Sequence, residues 1–445
     1  MSRPLRIAFF TGTFPAVSET FILRQITGLL DMGHQADVYA DSVPESGTPV
    51  HPEVARYALG QRTTYMDMPP ETAPWEMPVW PVTGRTWPPG AKTSILNSAR
   101  IMRALPRLFR SLMVAPWLAC QVLKQSEYGY QAASLSALHR LSKLCSRRRH
   151  YDVLHAHFGP VGNSFRFAKD LWKAPLVVSV HGYDFSTAPR KEGAGMYAKL
   201  FETADAITVN SEYTRTQVQK LGCSASKLHK LPVGLNPDEF SFSERTLRPG
   251  EPVRILTVAR LVKIKGHEFS LRALAKLRQK HPNLHYDLVG DGPLRPDLEK
   301  LAAQLGLRDA VTFHGACDGA QVQRRMAESQ IFLLTSASVE GDQEGQGLAL
   351  QEAQAAGLPV VTTRHGALPE GLVPEKSGFL APEGDVDAIA ERLSFLVEHP
   401  EVWPEMGRQG RAFVEERFDI RKLNRQLVEL YERIMSAREE ATVIL

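Results

Sequence analysis

Apolar residues fall along the chain in two alternating patterns. Leu5–Phe10, Ala36–Ala40, Asp152–His157, Leu176–His181 and Ala206–Asn210 are short apolar runs bounded by Gly, Pro, Asn or Ser. That is the pattern of strands buried on both faces. Between the first two runs, Phe21, Ile22, Gln25, Ile26, Leu29 and Leu30 recur at helical spacing, with Ser18 as N-cap and Gly33 as stop. The N-terminus therefore reads strand, loop, helix, strand, with Thr11-Gly12-Thr13-Phe14-Pro15 as the loop. The same alternation restarts at Val253–Val258. A loop over Ala259–Gly266 follows, then a helix to about Gln279. Further strands are expected at Leu284–Val289, Val311–Gly315 and Ile331–Thr335, and one opens at Pro359-Val360-Val361. From Ile420 onward, Leu423, Leu427, Leu430 and Tyr431 share one helix face. Strands alternating with helices predict parallel sheets, and the restart predicts two doubly wound α/β units.

Two regions break the rhythm. Residues 42–93 are rich in Pro, Thr and Met and carry Trp75, Trp80 and Trp87. They read as irregular structure, either a lid over a site or a plain excursion. Residues 94–149 read as helical, with Arg100, Arg103, Arg107, Arg110 and Lys124 among Ile101, Leu105, Leu108, Phe109, Leu112, Met113, Trp117 and Leu118. Such a pattern suits a membrane-surface face. It also suits amphipathic helices packed on the sheet, and Pro106 and Pro116, which interrupt any single face, favour packing.

Composition narrows the class. A chain of 445 residues exceeds one ordinary core, and 43% hydrophobic with 23% charged is globular. A net charge of +4 argues against a dedicated nucleic-acid binder. Cys120, Cys145, Cys223 and Cys317 are widely spaced, which reads as reduced thiols in the cytoplasm. The uncharged run Ser111–Leu123 is short of the roughly 20 residues that span a bilayer. The start Ile7-Ala8-Phe9-Phe10 after Arg3 and Arg6 reads as a strand, not as a signal sequence.

The stretch Ser338–Thr363 is the richest in candidate chemistry. Glu344 sits in a Gly- and acid-rich loop after a strand, and Glu352 sits on the helix that follows. Ligands of parallel sheets bind at such loops. Gly345 and Gly347 allow close backbone approach, and a helix start offers N–H groups to an anion. Arg260 and Lys265 occupy the corresponding loop after Val253–Val258, where cations would favour an anionic ligand. His155 and His157 share a strand face at a metal-ligand spacing.

Several of these segments resemble a known family. Glu344, seven residues, then Glu352 resembles the Glu-x7-Glu motif of retaining GT-B glycosyltransferases. Its setting, Glu-Gly-x-Gly-Leu-x-Leu-x-Glu-Ala followed by Ala-x-Gly-x-Pro-Val, is similar to family 4 of that class. Gly-Asp-Gln before Glu344, and Pro15 with Ser18-Glu19-Thr20-Phe21-Ile22, are similar to its exopolysaccharide, colanic-acid-type branch. Arg260 and Lys265 match the Arg-x4-Lys diphosphate clamp, with Lys263 a neighbour of no matching role. His181, in His-Gly-x-Asp, matches a histidine near the sugar's hydroxymethyl group. Gly315 lies where relatives meet the base. Many relatives carry Gly-Gly where this chain has only Gly12.

The resemblance implies a GT-B architecture, two Rossmann-like domains facing a cleft. It implies an acceptor-binding domain over 1–240, a linker over 241–252 and a nucleotide-sugar domain over 253–419. A last helix, 420–445, would cross back to the first domain. It further implies a retaining hexosyltransferase using a nucleotide-diphosphate sugar, with no cofactor and no obligatory metal. Glu344 would bind hydroxyls of the transferred sugar and Glu352 the ribose. Gly12, Gly315, Gly345, Gln346, Gly347 and Leu348 would line the donor, and His181, Arg260 and Lys265 would serve catalysis. The implied acceptor is a lipid-linked saccharide or oligosaccharide of an exopolysaccharide or cell-surface polysaccharide. The implied location is cytoplasmic, peripheral at the inner membrane face through 94–124, with no nucleic-acid partner. Two alternatives stand beside this: a metal-dependent hydrolase using His155 and His157, and a catalytically silent glycan-binding homologue.

Overall fold

The structure, a computed structural model, describes residues 3–16, 19–44, 47, 50–68, 98–146 and 149–443. Within these, the side chains of residues 98–101, 103 and 441–443 are not described. Ser18, Trp75, Trp80 and Trp87 lie outside the described residues, as does most of the 42–93 region. The chain divides into two compact units. The first comprises Met1–Asn210, Arg215–Leu231 and Asn424–Leu445; the second comprises Ser211–Thr214 and Pro232–Leu423.

The first unit holds a seven-stranded parallel sheet in the order β3-β2-β1-β4-β5-β6-β7. Its strands are β1 (Arg6–Thr13), β2 (Gln35–Ser42), β3 (Thr63–Tyr65), β4 (Val153–His157), β5 (Leu176–Val180), β6 (Ala206–Val209) and β7 (Leu228–Lys230). Strands β4 to β6 are buried at every position, which is why their sequences are unbroken apolar runs. Helix α1 (Thr20–Asp31) lays Ile22, Leu23, Ile26 and Leu29 on the sheet. Helix α2 (Ser98–Val114) packs on α4 (Ser136–Cys145), and α3 (Pro116–Gln121) lies between them in the chain. Pro106 does not break α2. Pro106 and Met102, four residues before it, are both exposed, so the carbonyl that loses its N–H partner meets water. Pro116 instead begins α3, where its missing N–H costs nothing. A buried bidentate pair between Arg140 and Asp41, at 2.8 and 2.9 Å, ties α4 to β2.

The second unit holds a six-stranded parallel sheet in the order β10-β9-β8-β11-β12-β13. Its strands are β8 (Val253–Val258), β9 (Leu284–Val289), β10 (Val311–Gly315), β11 (Ile331–Leu334), β12 (Val360–Thr363) and β13 (Gly378–Ala381). Counted from its own first strand, this is the 3-2-1-4-5-6 order, and the first sheet adds one more strand to it. Each sheet therefore reverses direction once, between β1 and β4 and between β8 and β11. A crevice at the strands' carboxyl ends is expected at each reversal.

The crossing from the first unit to the second falls at Leu231 and Pro232, earlier than the expected boundary at 240. The expected linker 241–252 is largely exposed, with Arg245 as its buried anchor. Arg245 is 4% exposed and donates to the carbonyls of Ala356 at 2.6 Å and Ala327 at 2.9 Å. Burial lowers its pKa to about 10. Helix α8 (Ile420–Val443) returns the chain, and its residues from Asn424 onward group with the first unit. Asn424 donates to the carbonyl of Gln25 on α1. No described helix is long and apolar enough to cross a membrane. All four cysteines are free thiols, and burial pushes those of Cys145 and Cys223 up to about 11.

Candidate functional site

In the second unit, the loop after β8 folds into a single 3-10 turn, Lys263–Lys265. Gly266 ends it at φ +64° and opens α6 (His267–Lys280). A Cβ at Gly266 would stand 1.9 Å from the carbonyl oxygen of Thr335, so only glycine lets this loop lie against the end of β11. That approach aims Lys265 across the sheet's reversal. Its Nζ donates to Glu344 Oε1 at 2.5 Å. Ser336 donates to the same oxygen at 3.2 Å. Arg260 is exposed and pairs with no described residue, so its guanidinium is open to a ligand. Lys263 is exposed as well.

Burial opposes ionisation of Glu344. The charge and hydrogen bond of Lys265, with the hydroxyl of Ser336, outweigh burial and hold its carboxyl below the usual range. His365 is a residue the sequence reading missed. It is fully buried and accepts the backbone N–H of Glu344 at Nε2, 3.1 Å away. Its Nδ1 faces Glu383 at 3.2 Å, so the geometry puts the ring proton on Nδ1. Gly366, next to it, would clash with the carbonyl of Glu344 if it carried a Cβ. His365 therefore fixes the backbone that carries Glu344. The sequence signal was only a His-Gly pair two residues past a strand end, which is common.

Gly347 stands at φ +80° as the N-cap of α7 (Leu348–Ala355), and Glu352 lies on that helix, half-buried. The side-chain amide of Gln346 is already committed: it donates to the carbonyl of Val233 and accepts its N–H, both at 2.7 Å. A donor contact at Gln346 thus falls to its main chain. Gly345 is buried in the same loop, and Gly315, at φ +73°, closes β10 and accepts the N–H of Gly290.

In the first unit, Gly12 is buried in the last turns of β1. His181 follows β5 and is the N-cap of α5 (Gly182–Phe185). Three imidazoles stack in a row: His155 on His157 at 4.7 Å, and His157 on His181 at 5.7 Å. Phe21 of α1 and Phe158 cover His181 at 4.8 and 4.7 Å. Burial lowers His155 and His181 to about 3, and His157 well below its usual value. All three are neutral at physiological pH. His155 is bonded through both nitrogens, to the Tyr431 hydroxyl at 2.5 Å and to Ser179 at 2.7 Å. That weighs against the hydrolase alternative at His155. A histidine with both nitrogens engaged has no lone pair left for a metal, and no metal-ligand cluster occurs among the described residues.

Two carboxyls accompany this row. Asp184 accepts the N–H of His181 at 2.7 Å, and its Oδ1 has no hydrogen-bond partner among the described residues. Burial raises its pKa to about 7, against the N–H groups of His181 and Gly159, and the charge of Glu19 adds to the rise. Glu19, the N-cap of α1, is raised to about 7 by burial. The first reversal point thus gathers aromatic rings and neutral imidazoles; the second is built on an ion pair.

Comparison with known proteins agrees with this layout. Residues 18–234 match the glycosyl transferase 4-like domain, and residues 238–413 match glycosyl transferases group 1. The chain is 30% identical to WcaL of Salmonella typhimurium, a glycosyltransferase named for colanic acid biosynthesis, over 97% of this chain and all of the relative. It is likewise 30% identical to the amylovoran biosynthesis glycosyltransferase AmsK of Erwinia amylovora, over 97% of this chain and all of that one. HepE of Anabaena, solved with UDP and glucose, has the same fold at TM-score 0.66 and 18% identity, covering 96% of this chain and 100% of that one. Sucrose-phosphate synthase of Thermosynechococcus elongatus matches at TM-score 0.67 and 19% identity over 97% of this chain and 100% of its own. Two doubly wound parallel sheets, each matched by its own family domain along nearly the whole length, make this chain a member of the GT-B glycosyltransferases, with a group 1 second domain and a family-4-like first domain.

Proposed function

We propose that the protein moves a hexose, with retention, from a nucleotide-diphosphate sugar to a lipid-linked saccharide during exopolysaccharide synthesis, at the inner face of the cytoplasmic membrane. The observation that carries this is the Lys265–Glu344 pair at the second reversal point, with the open guanidinium of Arg260 on the same loop. A diphosphate needs that charge, and a carboxylate held ionised beside it suits a sugar hydroxyl. The names of WcaL and AmsK support the glycan class, and HepE's bound UDP supports the donor class.

In this reading Arg260 and Lys265 bind the diphosphate. Glu344 accepts hydroxyls of the transferred sugar, and Glu352 accepts the ribose hydroxyls. The bond from the sugar's anomeric carbon to the phosphate oxygen breaks on the same face at which the acceptor oxygen attacks. The acceptor's proton passes to the departing phosphate. The two cations stabilise the charge growing on that phosphate, the step at which fixed charges are most effective. They take the place a metal cofactor would fill. Neutral His181 offers one hydrogen bond to the sugar's hydroxymethyl group without adding charge.

Calorimetric titration with UDP, GDP and ADP, followed by a donor screen on the nucleotide that binds, tests the proposal. One nucleotide is expected to bind and to lose affinity in both Arg260→Ala and Lys265→Ala. Binding of none, or binding indifferent to both substitutions, overturns it.

A further inference from the structure

Helix α2 and its continuation α3 leave an apolar face uncovered. Ala104 and Ser111 are buried, and Leu108 is partly buried against the core. On the opposite side Met102, Leu105, Phe109, Leu112, Met113 and Trp117 follow at helical spacing and are exposed. Phe109 is 67% exposed, Met113 71% and Trp117 61%. The sequence reading had favoured packing for this segment. The structure shows one face packed and a second apolar face in solvent. A contiguous exposed patch of this kind marks an interaction site.

Charge says what covers it. From Met77 to Ser126 the sequence contains no Asp or Glu, while it carries Arg85, Lys92, Arg100, Arg103, Arg107, Arg110 and Lys124. Arg110 is exposed on the flank of the apolar row, and Lys124 is exposed just beyond α3. The side chains of Arg100 and Arg103 lie outside the described residues. A row of large apolar side chains edged by cations, with no acid in the same stretch of sequence, matches the surface of an anionic bilayer.

We propose that the exposed face of α2 and α3 docks the protein on an anionic lipid surface, with Phe109, Met113 and Trp117 entering the headgroup boundary and Arg110 and Lys124 meeting the headgroups. This rests on the residues of α2 and α3 alone and stands apart from the donor chemistry. It also names what would hold the protein beside a lipid-linked acceptor.

Co-sedimentation of the full chain with phosphatidylcholine vesicles, with and without one-third phosphatidylglycerol, tests it. Binding is expected to the anionic vesicles only, and to weaken steeply with salt. Arg110→Glu with Lys124→Glu should lower binding by more than tenfold, since each basic residue near such a surface is worth about fivefold. A triple variant, Phe109→Asp, Met113→Asp and Trp117→Asp, changes only exposed positions and should abolish binding while leaving nucleotide affinity intact. Brominated lipid should quench fluorescence in the wild type and lose that quenching in Trp117→Tyr. No binding at low salt, or binding unaltered in the triple variant, overturns the proposal. So does self-association of the lipid-free protein that the triple variant removes, which would make the face a contact between copies.

Discussion

The two reversal points stand at matching positions in their sheets, yet their electrostatics are opposite. The second gathers Arg260, Lys265 and an ionised Glu344. The first gathers neutral histidines and two carboxyls whose pKa burial raises to about 7. The fold supplies the same crevice twice, and the loops decide its chemistry. A polarised crevice suits an anionic diphosphate; a neutral, aromatic one suits sugar hydroxyls, which want hydrogen bonds and no net charge. The proposed division into donor and acceptor halves draws on this difference rather than on any single residue.

The largest effect should come from removing the second site's cation. Lys265→Ala leaves Glu344 without its partner, and breaking such a pair costs about 3 kcal/mol. Turnover should fall by about two to three orders of magnitude, as when one stabilising donor of growing charge is lost. Steady-state kinetics and chemical denaturation would check both. The variant Lys265→Ala with Glu344→Gln should recover stability but not turnover. Recovery of both would make the pair structural and erase the contrast between the halves.

Opposite charge environments predict opposite pH responses. Glu344 is depressed, so its contribution is present above its ordinary value of 4.5 and is lost as pH falls through its folded value. Glu19 is raised from 4.5 to about 7, so the folded state holds its proton longer than the unfolded chain does. Stability therefore falls as pH rises between those values, and the full cost is present above about 7. Glu19→Gln should stabilise the protein at pH 8 by on the order of 2 kcal/mol and change little at pH 4. Denaturant midpoints at the two pH values would show it. Destabilisation at pH 8 would mean that Glu19 has an ionic partner, and the first site would no longer count as neutral.

A smaller effect separates the two acids of the second site. Glu352→Gln should weaken nucleoside-diphosphate binding by about 1 kcal/mol and leave turnover at saturation nearly unchanged. Glu344→Gln should do the reverse. Calorimetry beside saturation kinetics distinguishes them, and equal loss of both quantities in both variants would refute the separate roles.

Much of this was readable from the residues. Strands buried on both faces announce themselves as apolar runs, so β8, β9 and β10 fall at the expected residues. The strands not foreseen, β3, β7 and β13, are all sheet edges. An edge needs only one neighbour, so segments as short and polar as Thr63–Tyr65 or Leu228–Lys230 serve, while β13 is apolar and buried but only four residues long. Lys265 and Glu344 were readable from the sequence because both lie in loops after strand ends, and the structure brings them together. His365 was not, because its role depends on a backbone contact across the sheet. Nor was the pairing of His155 with Tyr431, which are 276 positions apart.

That last pair carries the smallest prediction and sharpens the account of the first half. Tyr431 is fully buried on α8, and its hydroxyl meets His155, which in turn meets Ser179 and, through it, Thr208 at 2.6 Å. This chain of hydrogen bonds ties the returning helix to β4, β5 and β6. Tyr431→Phe removes one link and leaves one imidazole nitrogen unsatisfied, a loss of about 1–2 kcal/mol. Nucleotide affinity should not change, and neither should activity after exhaustive EDTA treatment. If chelation silenced the wild type and zinc restored it, with Tyr431→Phe binding zinc more tightly than the wild type, the histidine row would be a metal site masked by the tyrosine. The neutral half of the comparison would then have to be redrawn around a cation.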